Sequence, residues 1–299
     1  MVLDCVVIGG GPSGLNASLV LGRAKKNIIL FDEDKPRNAV TYESHGFITR
    51  DGIKPSEFKR IAKEELRNYP SISIQNHRVI AIIKEKQSFI IHTDEGNSYH
   101  SRKVILSTGL RDVMPRIEGI NNFFGTSLFN CPFCDGWELK DRPLVVISEN
   151  ERAFHMTKMI ANWSKDLVVC TNGRIIFTEE QKELLTKKNI KVFEDEIEIL
   201  QGENGHLRTI KFMNGKVIER EGGIVTTGLE QASSLAQTLG CAINKMGGIE
   251  TDNFGRTNIQ GIYASGDISI TLPAQLIIAA SEGSKAAMGV ISDLVNEDF

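Results

Sequence analysis

The sequence has few cysteines for its length and no long apolar run. Its five cysteines are spread over 299 residues, and their odd number argues against a framework of structural disulfides. No stretch of 18 apolar residues occurs, so no membrane span is predicted. The formal net charge is only −3, which gives no reason to expect a nucleic acid as partner. These absences predict a globular protein of the reducing cytoplasm, and the chain is long enough for two domains.

Two of the cysteines lie close together, within Asn130–Glu138. Cys131 and Cys134 are separated by two residues, a spacing that suits either a redox-active disulfide or half of a zinc site. Zinc takes four ligands, and the chain has neither a second such pair nor two close histidines, so no metal site is predicted. Pro132 favours a helix start, which would place Cys131 at the N-cap, and Asp135 is a candidate proton carrier. Redox chemistry at this pair requires a source of electrons elsewhere in the chain.

The first strand-like run ends in a glycine-rich turn. Cys5–Ile8 is continuously apolar, as in a buried parallel strand, and Gly9–Gly14 has the spacing G-x-G-x-x-G ahead of a helical stretch. Glycines at this spacing allow a tight turn, close approach of a pyrophosphate and close packing of helix on strand. The next strand ends at Asp32, whose carboxylate can accept hydrogen bonds from an adenosine ribose. The pattern predicts a dinucleotide site.

The same strand pattern recurs 139 residues later without the glycines. Val6–Ile8 aligns with Val145–Ile147, which predicts a second doubly wound unit that arose by duplication. In this unit Ser148, Glu149 and Asn150 replace three glycines of the first turn. A carboxylate about 4 Å from a diphosphate would repel it by about 1 kcal/mol in water, and several-fold more in a partly buried site. The second unit is therefore expected to have lost its pyrophosphate turn.

Several other segments bear on the site. Lys35–Asn38 and His45–Gly52 are polar and rich in turn residues, and they either line a cofactor or form a surface loop. Pro55–Asn68 predicts an amphipathic helix whose charges face solvent. Gly261–Asp267 predicts a strand followed by a Gly-Asp turn that can approach a ligand closely and hydrogen-bond a sugar-like chain. A long helix is predicted over Pro273–Val290.

The chain as a whole resembles the low-molecular-weight thioredoxin reductases. The resemblance covers essentially the full length and depends on Gly9–Gly14, Cys131–Gly136, and Gly261–Asp267 with Gln275. It implies an α/β fold of two Rossmann-like, three-layer nucleotide-binding domains, with the middle domain inserted into the FAD domain. The FAD domain is expected at residues 1–114 and 246–299, and the middle domain at residues 115–245. The residues expected to hold FAD are Gly9, Gly11, Pro12, Ser13, Gly14, Asp32, Asn38, His45, Gly109, Gly266, Asp267 and Gln275.

The resemblance also implies roles for the cysteine pair. Cys134 is expected to exchange electrons with the flavin, Cys131 to attack or release the partner disulfide, and Asp135 to act as acid and base. The partner is expected to be a thioredoxin-like protein or a small-molecule disulfide or dithiol, and the enzyme to be a homodimer without nucleic-acid or membrane partners.

The middle domain departs from the family pattern. It lacks the glycine-rich turn and the basic pair that bind NADPH, so ordinary use of NADPH is not expected. The residues around Cys131 and the Lys35–Asn38 segment with the following His-Gly-Phe resemble a subgroup that includes the dithiol oxidases of gliotoxin and holomycin biosynthesis. Those enzymes pass electrons to oxygen, whereas related reductase-like proteins take electrons from ferredoxin. An oxidase needs a base near the dithiol, for which His45 is a candidate, and an ordinary loop histidine is the alternative. A flavin-bound sensor without catalysis is a further alternative.

Overall fold

The computed structural model describes residues 2–269 and 274–299, and the chain divides into two compact units. The first unit comprises Met1–Ala39, Gly46–Arg111 and Glu230–Phe299, and the second comprises Val40–His45 and Asp112–Leu229. Two short paired strands, β7 (Leu110–Val113) and β16 (Gly228–Gln231), lie where the chain passes between the units. The second passage lies at residues 229–230, whereas the resemblance implies residue 245 as the end of the middle domain.

The first unit is built on a seven-stranded sheet. Its strands are β1 (Val2–Ile8), β2 (Ile28–Phe31), β3 (Ile72–Gln75), β4 (Val79–Lys84), β5 (Phe89–Thr93), β6 (Ser98–Leu106) and β17 (Ile262–Ala264). Its helices are α1 (Pro12–Arg23), α2 (Pro55–Leu66), α6 (Leu235–Thr238) and α7 (Leu276–Asp298). The strands β3, β2, β1 and β6 are adjacent and parallel, and β17 also pairs in parallel with β6. The strands β5 and β4 extend the sheet in antiparallel fashion.

Successive side chains of β1 point to opposite faces of the sheet, so the core of the first unit has two parts, one on each face. Cys5 and Val7 pack with Leu15 and Leu21 of α1 and with Val290 of α7. The intervening side chains of β1 pack on the opposite face with side chains of β4 and β5. The continuous apolar run in the sequence is therefore a strand buried on both faces, as expected for a doubly wound sheet.

The second unit repeats this plan on a smaller scale. Its parallel sheet has the order β11 (Lys191–Phe193), β10 (Leu167–Cys170), β9 (Leu144–Ile147), β15 (Gly222–Val225) and β8 (Leu128–Phe129). The helices are α3 (Pro132–Asp135), α4 (Arg152–Ile160) and α5 (Glu179–Lys187), and a separate antiparallel sheet is formed by β12 (Ile197–Glu203), β13 (His206–Phe212) and β14 (Val217–Glu219). One face of β9 packs on α4 and α5, and the other packs on the antiparallel sheet. The predicted second Rossmann-like unit is thereby confirmed.

Two helices differ from their predicted form. Lys59 of α2 is only 6% exposed, so the prediction that the charges of this helix all face solvent is wrong. The helix α7 continues eight residues past Val290 to Asp298, where Arg102 pairs with Asp298 at 2.7 Å and Lys103 pairs with Glu297. Pro273, the predicted start of this helix, lies outside the described residues.

Three of the five cysteines are free thiols in the protein interior. Cys5, Cys170 and Cys241 are all buried, whereas Cys131 and Cys134 form a disulfide. Over residues 2–269 and 274–299, no helix combines the length and apolar character needed to cross a membrane.

Candidate active site

The glycine-rich turn of the first unit is shaped by close packing against its neighbours. A Cβ atom on Gly9 would lie 2.2 Å from the carbonyl oxygen of Ser107, and one on Gly14 would lie 1.9 Å from the carbonyl oxygen of Gly9. Gly11 differs, because a Cβ atom there would meet nothing within 4 Å. Gly11 is also the N-cap of α1, which begins at Pro12. The turn therefore leaves open space at the positive end of a helix, where a pyrophosphate fits.

The structure brings the Gly-Asp turn of the C-terminal segment against this glycine-rich turn. Ser13 donates a hydrogen bond from its hydroxyl to that of Ser265 at 2.8 Å, and a Cβ atom on Gly266 would lie 2.8 Å from the Cβ atom of Ser13. The carboxylate of Glu282 in α7 accepts a hydrogen bond from the Gly266 amide at 2.8 Å. Two motifs more than 250 residues apart in the sequence thus form one surface of the first unit.

Asp267 has a basic neighbour that the predicted site did not include. Arg37 Nη1 lies 3.3 Å from Asp267 Oδ2, and both side chains are about one-quarter exposed. Asn38 follows Arg37 in the same single helical turn and is half-buried, as is Gln275 immediately before α7. Gly109 follows β6 with a φ of +71° and open space at its Cβ position. The sequence indicated only that the polar Lys35–Asn38 segment could line a cofactor. It did not pair Arg37 with Asp267, because the two residues are 230 positions apart.

Asp32 is buried between two lysines of α2. Lys59 Nζ and Lys63 Nζ lie 2.9 Å and 2.8 Å from Asp32 Oδ2, and Asp34 is 2.6 Å from Lys59. Burial of Asp32 acts to raise its pKa, but hydrogen bonds from Lys63 and Lys59 outweigh burial, and the pKa lies below its ordinary value. The carboxylate is thus ionised at the end of β2, where an acceptor for ribose hydroxyls is expected.

The cysteine pair occupies the predicted position at the start of a short helix in the second unit. Cys131 is the N-cap of α3, its sulfur accepts a hydrogen bond from the Cys134 amide at 3.2 Å, and the helix ends at Asp135 with Gly136 as its C-cap. Gly136 is needed because a Cβ atom there would lie 2.8 Å from the ring of Trp163. Beside the disulfide, Phe133 and Trp137 are 53% and 66% exposed.

Asp135 is a buried carboxyl group next to the disulfide. Its exposed fraction is 8%, and this burial, reinforced by the nearby carboxylate of Glu138, raises the pKa of Asp135 to about 7. His45 acts in the opposite direction, because a positive charge there favours the carboxylate. A group that titrates near neutral pH can both accept and return a thiol proton.

His45 lies in the second unit, although the residues after it belong to the first. Its Nε2 atom is 3.6 Å from Glu138 Oε1 and 3.9 Å from Glu43 Oε2. The structure thus places His45 beside Glu138 in the second unit, whereas the other residues predicted to hold the cofactor belong to the first unit. The sequence could not predict this position of His45, because it depends on the packing of the six-residue segment Val40–His45 with the second unit.

In the second unit, side chains fill the turn that corresponds to the glycine-rich turn of the first. Glu149 Oε1 accepts a hydrogen bond from Asn172 Nδ2 at 2.6 Å, and Asn172 Oδ1 accepts one from the amide of Ile197 at 2.9 Å. Ser148 accepts a hydrogen bond from the Thr226 hydroxyl at 2.6 Å. The loops after β9, β10 and β15 are therefore tied together by side chains at the strand ends where a dinucleotide binds in this fold.

Comparisons with known proteins agree with this arrangement. A family model described as pyridine nucleotide-disulphide oxidoreductase matches residues 3–283. A Bacillus anthracis protein assigned as a thioredoxin reductase, TrxB, is 47% identical, with a TM-score of 0.96 over 99% of this chain and 100% of that chain. The solved structure of HlmI is 31% identical, with a TM-score of 0.94 over 99% and 94% of the two chains. The thioredoxin reductase sirT of Leptosphaeria maculans is 29% identical over 100% of this chain and 96% of its own.

The matches cover both motif-bearing ends of the chain and the cysteine pair between them. The predicted family, enzyme class and FAD cofactor are confirmed. This chain belongs to the pyridine nucleotide-disulphide oxidoreductase family, and it is a thioredoxin reductase-like, FAD-dependent oxidoreductase that acts on disulfides.

Proposed function

We propose that this enzyme moves electron pairs between FAD and an external disulfide or dithiol through Cys131 and Cys134, without ordinary use of NADPH. The observation that carries the proposal is the hydrogen bond between Glu149 and Asn172, which lies across the candidate nucleotide turn of the second unit. FAD supplies the two-electron chemistry when bound, and Gly9–Gly14, Asp32 and Asp267 are the residues proposed to hold it.

The contrast between the two turns supports the loss of NADPH binding. Space is open at Gly11 in the first unit, whereas the corresponding Asn150 lies beside a carboxylate that is already hydrogen-bonded within the protein. Arg152, a nearby cation, donates hydrogen bonds to the carbonyl oxygen of Thr227 at 3.0 Å and to Asn150. A diphosphate would have to displace these bonds and meet the negative charge of Glu149.

The roles proposed for the redox residues follow from their placement. Cys131, the N-cap of α3, is the thiol proposed to meet the partner, and Cys134 is the thiol proposed to exchange electrons with the flavin. Asp135 is proposed as the acid and base for these thiols, supported by its burial and its pKa of about 7. Electron donors other than NADPH, such as ferredoxin, are consistent with this assignment.

The second candidate function is oxidation of a dithiol, with oxygen as the final acceptor. A neutral dithiol must lose protons before it can reduce the Cys131–Cys134 disulfide, and Asp135 with the neighbouring His45 offers groups suited to proton transfer. In this direction the partner becomes a disulfide and oxygen is reduced to hydrogen peroxide. The two candidates differ in the direction of electron flow through the same pair of cysteines.

Anaerobic flavin spectra test the proposal. NADPH, dithiothreitol and a reduced ferredoxin are added separately to the FAD-loaded protein, and the flavin absorbance is followed. Bleaching by dithiothreitol without bleaching by NADPH is expected, and rapid stoichiometric bleaching by NADPH would refute the proposed loss of NADPH binding. Ferredoxin bleaching would identify a donor class, and hydrogen peroxide formed from dithiol in air would favour the oxidase.

Variants of the cysteines test the proposed route. Cys134→Ser is expected to abolish dithiol-driven bleaching while leaving the flavin spectrum in place. Cys241→Ser is the matched control, since it removes a buried thiol of the first unit that has no proposed redox role. A Cys134→Ser variant that bleaches as fast as the parent protein would refute the proposed route.

The assembly and compartment are also proposals. We propose a homodimer, and light scattering of the FAD-loaded protein measures the mass directly, with a monomer mass of 33.1 kDa as reference. We further propose a reducing cytoplasm as its compartment, because three buried cysteines remain free thiols. Fractionation of cells followed by detection of the protein tests the compartment.

A further inference from the structure

One carboxylate joins the residue before Cys131 to a loop from the far end of the second unit. Asp112 Oδ1 accepts a hydrogen bond from Asn130 Nδ2 at 2.8 Å and another from the Thr227 hydroxyl at 2.7 Å. Asp112 and Thr227 lie at or near the two ends of the segment Asp112–Leu229, and Asn130 immediately precedes Cys131. Three segments that are distant in the sequence therefore meet at Asp112, and one of them leads directly into the redox pair.

The sheet of the second unit explains why these residues meet. The strands β8 and β15 are parallel neighbours, with Phe129 opposite Ile224. Asn130 and Cys131 follow the end of β8, and Thr227 lies two residues past the end of β15. The carboxyl ends of parallel strands lie at the same edge of a sheet, so the two loops are neighbours there. Their bonds to one carboxylate tie the loops together.

The loop after β15 is itself held in place. Thr227 is only 4% exposed, and its carbonyl oxygen accepts a hydrogen bond from Arg152 Nη2 at 3.0 Å. The preceding residue, Thr226, donates a hydrogen bond from its hydroxyl to that of Ser148 at 2.6 Å. Ser148 and Arg152 belong to the turn that lost its glycines and to the helix after it. Asp112 thus attaches Asn130 to a part of the unit that other side chains already fix.

On the basis of the proposed electron route through the cysteine pair, we propose that Asp112 is a positioning residue of that pair. Through Asn130 it holds Cys131 where this cysteine can re-form the disulfide after each reduction. Asp112 itself exchanges neither electrons nor protons with the cysteines. The role extends the proposed function to a residue 19 positions before Cys131, outside the Cys-x-x-Cys motif.

This support matters most when the pair is reduced. In the oxidised protein a covalent bond joins Cys131 to Cys134. Reduction breaks that bond, so the position of Cys131 then depends on non-covalent contacts alone. On its C-terminal side, the Cys131 carbonyl oxygen accepts the amides of Cys134 and Asp135 at 3.3 and 3.2 Å. The Asp112–Asn130 bond restrains the chain on the other side and so raises the effective concentration of one thiol at the other.

The equilibrium of the pair with dithiothreitol reports this effective concentration. Dithiothreitol gives two electrons and two protons to the enzyme disulfide, so Cys131 and Cys134 become thiols and the two thiols of dithiothreitol become a disulfide. The reverse reaction re-forms the enzyme disulfide, and it is favoured when Cys131 is held close to Cys134. Loss of the restraint therefore raises the reduction potential of the pair.

The test measures that potential in the FAD-loaded protein. The protein is equilibrated anaerobically in buffers of defined ratio of reduced to oxidised dithiothreitol and quenched in acid. Its thiols are then alkylated in denaturant and counted by intact mass, and the three free cysteines contribute equally in every state. Asp112→Ala is expected to lower the equilibrium constant for disulfide formation about fivefold, the effect of one net hydrogen bond, which raises the potential by about 20 mV.

Two further variants separate positioning from a general structural role. Asn130→Ala removes the other partner of the same bond and is expected to give the same shift of about fivefold. The double variant is expected to add less than about twofold to either single change, because both act through one bond. Asp112→Asn retains an oxygen that can accept from Asn130, so its potential is expected to return towards that of the parent.

Asp195→Ala is the matched control. Asp195 Oδ1 also accepts a hydrogen bond from an asparagine, Asn214 Nδ2, at 2.9 Å, and both residues belong to the second unit. This variant is expected to leave the potential of the pair unchanged. A shift equal to that of Asp112→Ala would show that the potential responds to any loss of such a bond, and it would overturn the specific role of Asp112.

FAD absorbance and the thermal midpoint are measured for every variant. An unchanged potential in a folded, FAD-loaded Asp112→Ala variant overturns the role. If Asp112→Ala does not fold, Asn130→Ala decides by the same criterion. If neither variant folds while Asp195→Ala does, the Asp112–Asn130 bond serves the fold and the inference fails.

Failure of this inference is distinguishable from failure of the proposed function. An inactive Cys134→Ser variant together with an unchanged potential in Asp112→Ala would refute the role of Asp112 alone. A fully active Cys134→Ser variant would refute the proposed function itself.

Discussion

Asn172 donates a hydrogen bond to the carboxylate of Glu149 at 2.6 Å, joining the loops that follow two adjacent strands of the second unit. The same two strand ends in the first unit carry Gly9–Gly11 and Asp32, and a Cβ atom on Gly10 would lie 2.2 Å from the carboxyl carbon of Asp32. In the first unit the acid fits against a glycine and space remains at Gly11. In the second, two side chains meet across the same position.

The filled turn predicts that NADPH does not stabilise the second unit. Millimolar NADPH is expected to leave the thermal midpoint of the parent protein unchanged. Replacement of Ser148, Glu149 and Asn150 by glycine is expected to create weak binding, because it removes both the charge and the hydrogen bonds. A ligand at 100-fold its Kd stabilises by about 2.7 kcal/mol, so binding that approaches saturation would be visible in a melting experiment.

Glu149→Gln is the control for this prediction. It removes the negative charge and retains a side chain that can bond to Asn172, so little gain in NADPH binding is expected. A rise in the thermal midpoint of the parent protein with NADPH would contradict the interpretation of this turn.

The raised pKa of Asp135 predicts a specific dependence of stability on pH. Below about pH 3.8, the ordinary value, the group is protonated in both the folded and unfolded states and has no effect. As the pH rises from there to about 7, the unfolded state ionises first and the free energy of unfolding falls. Above about pH 7 the group is ionised in both states, and the free energy of unfolding stays at its lowered value.

Asp135→Asn removes the decrease in the free energy of unfolding that Asp135 causes as the pH rises. The variant is expected to be more stable than the parent at pH 8 by on the order of 2–4 kcal/mol, with the difference vanishing near pH 4. Urea unfolding at the two pH values measures the effect. Glu151→Gln, a change at an exposed carboxylate of the same unit, is expected to alter stability by less than about 0.5 kcal/mol at either pH. A pH-independent difference for Asp135→Asn would contradict the raised pKa.

The pairing of Lys59 with Asp32 predicts a large effect of a single lysine. Lys59→Ala leaves a buried carboxylate with one of its two cations, which is expected to destabilise the protein by about 3 kcal/mol and to weaken FAD retention. Arg60→Ala, at the next residue of α2, breaks exposed ion pairs with Glu57 and Glu64 and is expected to lower stability far less than Lys59→Ala does, because solvent screens exposed pairs.

Urea unfolding and the FAD-to-protein absorbance ratio measure both variants. Equal small effects for Lys59→Ala and Arg60→Ala would show that the buried pair contributes no more than a surface pair.

The glycine-rich turn predicts two different outcomes for two alanine substitutions. Gly11→Ala places a methyl group in open space, so folding is expected to change by less than about 0.5 kcal/mol while FAD affinity falls at least about tenfold. Gly14→Ala places its Cβ atom 1.9 Å from the carbonyl oxygen of Gly9, so it is expected to destabilise the fold by about 3 kcal/mol.

Circular dichroism and flavin release on dilution separate these effects. If Gly11→Ala retained FAD as tightly as the parent protein, the open space at Gly11 would not be the pyrophosphate position.

Local patterns in the sequence were sufficient for the first strand of each unit and for the turn that follows it. Val6–Ile8 and Val145–Ile147 are apolar throughout because each strand is covered on both faces. The helix position of Cys131 was also predictable, since Pro132 favours the first turn and Gly136 ends it.

Properties that depend on distant partners were not predictable. Lys59 occupies a helix position that resembles its exposed neighbours, and only the fold places Asp32 against it. The membership of Val40–His45 in the second unit has the same origin, because a polar segment carries no periodic signal for the surface on which it packs. The extension of α7 to Asp298 depends on Arg102 and Lys103, almost 200 residues earlier.

The three buried cysteines have a practical consequence for following the enzyme. Burial raises the pKa of Cys170 to about 12 and also raises the pKa values of Cys5 and Cys241, so these thiols scarcely form the thiolate that reacts with alkylating agents. In the native protein, a thiol reagent therefore distinguishes two states by mass: two adducts when the Cys131–Cys134 pair is reduced and none when it is oxidised. Intact-mass spectrometry can therefore measure the redox state of the Cys131–Cys134 pair in a cell extract, without an added probe protein.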